Sequence, residues 1–202
     1  MKRKHIALLI VGLLVFDQIV KLWIKTHMTL GESIPVFGDW FQIYFIENEG
    51  AAWGMSLGGP HGKLILSLFR IAAVTAIGLF INHLWKRRAP AGVIVGISLV
   101  LAGALGNIID SAFYGLVFSE STYSTVASLF PPGGGYGTFL HGKVVDMLYF
   151  PLFTVHDMPG WLGWLSGSDG VFTFFAPVFN IADSYISIAV FYLAIFQYKY
   201  FK

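Results

Sequence analysis

Two Asn-x-x-Asp tetrads stand far apart in the chain, Asn107-Ile108-Ile109-Asp110 and Asn180-Ile181-Ala182-Asp183, and Val144-Val145-Asp146 lies between them. Three residues is close to one helical turn, so each tetrad can put an amide and a carboxylate on one face. Two carboxyl groups held a few ångströms apart at a low-dielectric boundary cannot both ionise easily; one keeps its proton near neutral pH while the other stays charged. That is what an aspartic peptidase requires, with the charged member taking a proton from attacking water and the protonated member donating to the scissile carbonyl oxygen. Asp110, Asp146 and Asp183 are the candidates, and Asn107 and Asn180 have the donors and acceptors to hold a carboxylate or a peptide backbone. Asp17 and Lys21 form a further i,i+4 pair, acid before base, which is the favourable order on a helix.

Other chemistries find little support. There is no cysteine, which removes thiol catalysis, Cys-based zinc sites and disulfides. There is no H-E-x-x-H and no G-x-S-x-G. The six histidines are scattered through helix ends and loops, and His141, five residues before Asp146, reads as loop packing rather than a metal ligand. No metal and no cofactor are expected.

These residues must be positioned by elements suited to a bilayer. Of the 202 residues 56% are hydrophobic and only 12% charged, where a soluble domain is about a quarter charged, and the mean hydropathy is +0.70. A net charge of +2 is too small for a phosphate-neutralising surface, so nucleic acid is not an expected partner. Apolar runs of about 20 residues mark membrane spans, and four occur, at about 5–24, 64–84, 91–109 and 176–197. They leave long connections at about 25–63 and 110–175. Lys2, Arg3 and Lys4, then Lys86, Arg87 and Arg88, then Lys199 and Lys202 flank the spans on one side without an acid. The asymmetry places both termini in the cytoplasm and both long connections outside. Asp17 and Lys21 within the first apolar run, with no small-x-small cleavage site after it, favour a retained helix over a cleavable signal peptide.

The expected fold is therefore an α-helical integral membrane protein, one domain over 1–202, with four transmembrane helices, long outer loops and a small β-rich extracytoplasmic element. The strand signal is the aromatic and β-branched run Trp40–Ile46 between Gly38-Asp39 and Asn48-Glu49-Gly50. Aromatics of the second connection, among them Phe150, Phe153, Trp161, Trp164 and Phe175, read as an interfacial belt. Arg70, in the outer half of the second span, reads as a side chain snorkelling to headgroups.

In these segments the sequence resembles the bacterial lipoprotein signal peptidases, the signal peptidase II family. Asp17-x-x-x-Lys21 matches the first motif, Asn48-Glu49-Gly50-Ala51-Ala52-Trp53-Gly54 the first outer loop, and Gly103-x-x-Gly106-Asn107-x-x-Asp110 the third helix. Val144-Val145-Asp146 and Phe179-Asn180-x-Ala182-Asp183 match the two segments that carry the family's catalytic aspartates. The resemblance spans nearly the whole chain. It implies an inner-membrane aspartic endopeptidase that removes signal peptides from prolipoproteins, cutting before a diacylglyceryl-modified cysteine, with its site toward the outer leaflet. Asp146 and Asp183 would be the dyad, supported by Asn107, Asn180, Ala182 and Asp110. Asn48, Gly50 and Ala51 would contact substrate, and Asp17 with Lys21 would brace the bundle. The implied partners are prolipoproteins and membrane lipid, and the enzyme is expected to act as a monomer.

Two departures stand out: Ser111 occupies the place where an Arg is usual, an anchoring role that Lys143 could take over, and long insertions flank Asp146. A proton-coupled transporter using the same carboxylates is the alternative reading; it would spread acids along the membrane depth. In a non-catalytic scaffold the outer carboxylates would be dispensable.

Overall fold

The computed structural model describes residues 2–49, 62–156 and 171–202. Gly50, Ala51 and the Ala52-Trp53-Gly54 end of the first outer motif, and Trp161 and Trp164, lie outside them. Helix α1 (Arg3–His27), α2 (Gly62–Lys86), α3 (Ala91–Ile109), the single turn α4 (Gly115–Val117) and α5 (Ile181–Phe196) form the helical part. The segments Arg3–His27, Leu64–Lys86 and Ala91–Val117 are each long and apolar enough to cross a membrane. Helix α5 has 16 residues, about 24 Å at 1.5 Å per residue. Phe16, Ile19, Leu68, Phe69, Phe191 and Ile195 stay exposed, the pattern expected where lipid replaces water as solvent.

The expected last span, 176–197, begins too early. Residues 176–180 are not helical, because Phe179 is bridged to Leu148 of the sheet and Asn180 caps the helix, its side chain accepting from the Asp183 backbone N–H at 2.9 Å. An N-cap residue sits outside helical φ/ψ, and Asn180 does so at φ −118° and ψ 179°. The second connection is also not a loop from residue 110. Helix α3 continues through a π-helical turn, Asp110–Tyr114, into α4.

Three strands, β1 (Ser33–Phe37), β2 (Phe41–Asn48) and β3 (Val144–Tyr149), form an antiparallel sheet in that order, and a separate hairpin pairs β4 (Phe153–Val155) with β5 (Phe172–Phe174). The Trp40–Ile46 run thus forms most of a hairpin strand. Register sets Ile46 opposite Asp146 and Asn48 opposite Val144. Phe150 stacks on Phe41 at 4.6 Å and on Phe179 at 5.7 Å, tying the sheet to the approach to α5.

Helix α3 is central and packs on α1, α2 and α5. Its glycines allow this. A Cβ at Gly103 would run into the Ala182 carbonyl, and one at Gly106 would crowd Asp17 and the Ala182 methyl group. One apolar core (Ile6, Ile81, Leu84, Val93, Ile94, Leu101) joins α1, α2 and α3. A second (Ile24, Met28, Phe45, Tyr114, Phe118, Ala127, Val145, Met147) joins the far end of α1 to the sheet and to the insertion after α4. At the opposite end Arg3 donates to Asn82 at 2.9 Å and stacks over Trp85 at 4.0 Å, which gathers the cations of Lys86–Arg88 with those of the N-terminus.

Candidate active site

Helix α1 presents Asp17, Lys21 and Lys25 in one row at four-residue spacing, and all three are buried. The Lys21 ammonium lies 3.2 Å from Asp17 Oδ2 and 2.9 Å from Asp110 Oδ2, and it donates to Asn107 Oδ1 at 2.9 Å. Its three N–H donors meet three acceptors. The remaining carboxylate oxygens are also used. Asp17 Oδ1 accepts from the Ala182 N–H at 3.0 Å, which ties α1 to the first turn of α5. Asp110 Oδ1 accepts from Gln18 at 2.9 Å and its Oδ2 from the Val145 N–H at 3.3 Å.

That centre fixes the two asparagines. Because Asn107 Oδ1 faces an ammonium, its Nδ2 must point the other way, and it donates to Asp183 Oδ1 at 2.7 Å. Asn180 Oδ1 faces the Asp183 backbone N–H, which turns Asn180 Nδ2 toward Asp146 Oδ1 at 2.6 Å and toward Asn107 Oδ1 at 3.0 Å. Asn48 Nδ2 donates to Asp146 Oδ2 at 3.3 Å. The backbone sets the same register: the Phe179 carbonyl accepts from Met147 and Leu148, and the Phe179 N–H donates to the Leu148 carbonyl. Asp146 and Asp183, 37 residues apart in sequence (183 minus 146), thus share one hydrogen-bonded asparagine pair. Burial, and next the charge of Asp183, push the Asp146 carboxyl up to about 7, against the pull of the Asn180 and Asn48 donors and of Lys21.

A family model for signal peptidase (SPase) II matches residues 9–199. The chain belongs to the signal peptidase II family. It is 50% identical over 193 residues to the lipoprotein signal peptidase of Porphyromonas gingivalis, covering 95% of this chain and 82% of that one. To the lipoprotein signal peptidase of Amoebophilus asiaticus it is 36% identical over 181 residues, covering 88% and 70%. Two solved structures, bacterial membrane enzymes determined by the in meso method at 2.3 Å and 1.9 Å, superpose with TM-scores of 0.61 and 0.59 at 28% identity, covering 98% and 96% of this chain and 89% and 92% of theirs. The chain is accordingly a membrane-embedded bacterial aspartic peptidase.

Of the residues expected at a signal peptidase II site, Asp17, Lys21, Asn48, Asn107, Asp110, Asp146, Asn180, Ala182 and Asp183 come together here. Gly50 and Ala51 lie outside the described residues. Lys143 does not replace the Arg missing at 111; its ammonium faces Glu47 and Glu120 instead. Anchoring of the π-turn is done by backbone: Ser111 and Ala112 carbonyls accept from Gly142 and Leu140, while the Ser111 hydroxyl donates back to the Asn107 carbonyl at 3.0 Å. His141 lies in the loop before β3 beside Thr138 and the Phe139 carbonyl. Gln18, Lys25 and Glu47 also take part without a clear mark in the sequence, and Arg70 has a role besides the expected one. Gln18 bonds Asp17, Asp110 and Tyr114, and nothing in its spacing marks it. Lys25 and Glu47 form a second buried ion pair, which the four-residue step from Lys21 to Lys25 could have suggested. Arg70 of α2 lies within electrostatic reach of Asp183, Asp146 and Asp110.

Removing one partner of a buried ion cluster strands the others, at a cost of about 3–5 kcal/mol. Lys21→Met is expected to lower the thermal unfolding midpoint sharply, and Lys21→Met/Asp17→Asn/Asp110→Asn, with no charge left to strand, to recover most of it. Equal destabilisation in both proteins would contradict this reading of the centre.

Proposed function

We propose that Asp146 and Asp183 are the catalytic dyad with which this signal peptidase II removes signal peptides from prolipoproteins, cleaving before the diacylglyceryl-modified cysteine. The observation that carries it is the pair of carboxyl groups joined through Asn107 and Asn180, one of them pushed up to about 7, so that it keeps its proton at pH values where an ordinary carboxyl has lost it. The lipoprotein signal peptidases it resembles supply the substrate class. A transporter relay is disfavoured because the carboxylates collect at one end of the bundle instead of along its depth.

In this reading Asp146 holds the proton and Asp183 the charge. Asp183 stands at the first turn of α5, where backbone N–H groups and the Asn107 donor accommodate an anion. Water placed between the carboxyls attacks the scissile carbonyl carbon; Asp183 takes its proton as the Asp146 hydroxyl donates to the carbonyl oxygen. In the collapse of the gem-diol, Asp183 passes its proton to the departing nitrogen, Asp146 recovers one from a hydroxyl, and the C–N bond breaks. The dyad ends with the single proton it began with. Asn48, and Gly50 with Ala51 after it, hold the substrate strand.

Four spans are proposed, α5 completing the set, with both termini cytoplasmic and the dyad toward the outer leaflet. The support is the basic end built by Arg3 and Lys86–Arg88, since Lys and Arg are retained inside. The exposed apolar flanks of α1, α2 and α5 then let signal peptide and acyl chains reach the dyad laterally. A monomer suffices, because every residue invoked comes from one chain.

Asp146→Asn and Asp183→Asn should each lower cleavage of a lipid-modified prolipoprotein by roughly 10²–10⁴-fold or more with unchanged thermal unfolding; near-normal turnover in either removes the dyad. The proton on Asp146 sets an alkaline limit. As pH rises through about 7 that proton is lost, so kcat/KM should fall with a midpoint near there, and a profile flat through pH 9 would exclude Asp146 as the acid.

A further inference from the structure

One turn beyond Lys21, a second buried cation is unused by this chemistry. Lys25 is ion-paired to Glu47 of β2 and donates to Ser121 Oγ at 2.9 Å, and Ser121 donates to Glu47 Oε1 at 3.0 Å. Phe118 and Tyr136 present their rings to the ammonium at 5.3 Å and 5.1 Å. Glu47 Oε2 is buried without a hydrogen bond and stands 3.7 Å from the Lys143 ammonium. The cluster draws on α1, β2, the insertion after α4 and the residue before β3. Burying a charge pair costs several kcal/mol per ion before any attraction is counted, so apolar side chains would hold these segments together at least as well.

Its location gives it another use. Glu47 immediately precedes Asn48, and neighbours in a strand point to opposite faces, so fixing Glu47 against Lys25 turns Asn48 toward Asp146. Lys143 immediately precedes Val144, the cross-strand partner of Asn48. The insertion itself is pinned to this end of α1, since the Leu30 N–H donates to the Thr122 carbonyl at 2.9 Å. We infer that Lys25, Glu47 and Ser121 form a latch through which the insertion holds Asn48 against the Asp146 carboxyl. They are positioning residues, and the inference rests on Asp146 and Asp183 being the dyad.

The Asn48 donor favours the ionised form of Asp146, so loosening the latch should raise the pH at which the Asp146 proton is lost. Asp146 is also faced by Asp183 of α5, Lys21 of α1 and Arg70 of α2, all left intact by the variants. Lys25→Met/Glu47→Leu removes both charges together and strands neither. It should unfold within a few degrees of wild type, while the alkaline limb of kcat/KM on a lipid-modified prolipoprotein moves upward by about half to one pH unit. Adding Asn48→Ala should move it no further. Ser121→Ala, which keeps the ion pair, should give a smaller shift in the same direction, and it carries the test if the double variant does not fold. A wild-type limb in the folded latch variants, or shifts that add to that of Asn48→Ala, would overturn the latch. Activity in Asp146→Asn would instead overturn the dyad on which it rests.

Discussion

The structure turns on a fully buried lysine ammonium. Lys21 has no solvent to share its charge, so it takes two carboxylates and an amide oxygen, and those come from α1 itself and from the end of α3. An ammonium isolated in a low-dielectric interior would be far too costly, and each acceptor is in turn committed: Asp17 to the first turn of α5, Asp110 to β3, Asn107 to Asp183. One cation thereby fixes the relative placement of three helices and a strand at the point where the dyad forms.

Close approach is the second condition. Gly103 and Gly106 let the start of α5 lie against α3 with no side chain between, and the π-helical turn after Asp110 redirects the chain so that Gly142 can reach the Ser111 carbonyl. π-bulges of this kind are frequent at functional sites. The clamp between Phe179 and Leu148 then sets Asn180 beside β3, so two aspartates from separate parts of the chain meet without a long side chain bridging them.

Much of this was legible in the sequence because buried polar groups in an apolar chain are few and must find one another. Asp17, Lys21, Asn107, Asp110, Asn180 and Asp183 stood out against hydrophobic runs, and their spacing carried the family resemblance. Asn180 is of a residue type that commonly caps a helix, yet the continuous apolar run from Ala176 hides the helix start at Ile181. Glu47 and Lys25 were not legible as partners, since an acid in an outer loop and a lysine at a helix end both look solvated until the sheet folds over α1. Gln18 is neutral and gives no hydropathy signal. The insertion after α4 carries turn residues in abundance, Pro131-Pro132-Gly133-Gly134-Gly135 above all, but nothing local says that its Ser121 bonds Glu47 of β2 or that its Phe118 joins the core with Phe45 and Val145.

If Lys21 orients Asn107 and through it the dyad, the two residues act on turnover as one unit. The direct measurement is a double-mutant cycle in kcat for prolipoprotein cleavage with Lys21→Met and Asn107→Ala, in detergent conditions where all four proteins are folded. Coupling of about 1 kcal/mol or more is predicted, with the second substitution costing little after the first. Losses that simply add would contradict the claim that the position of the dyad is inherited from the buried lysine.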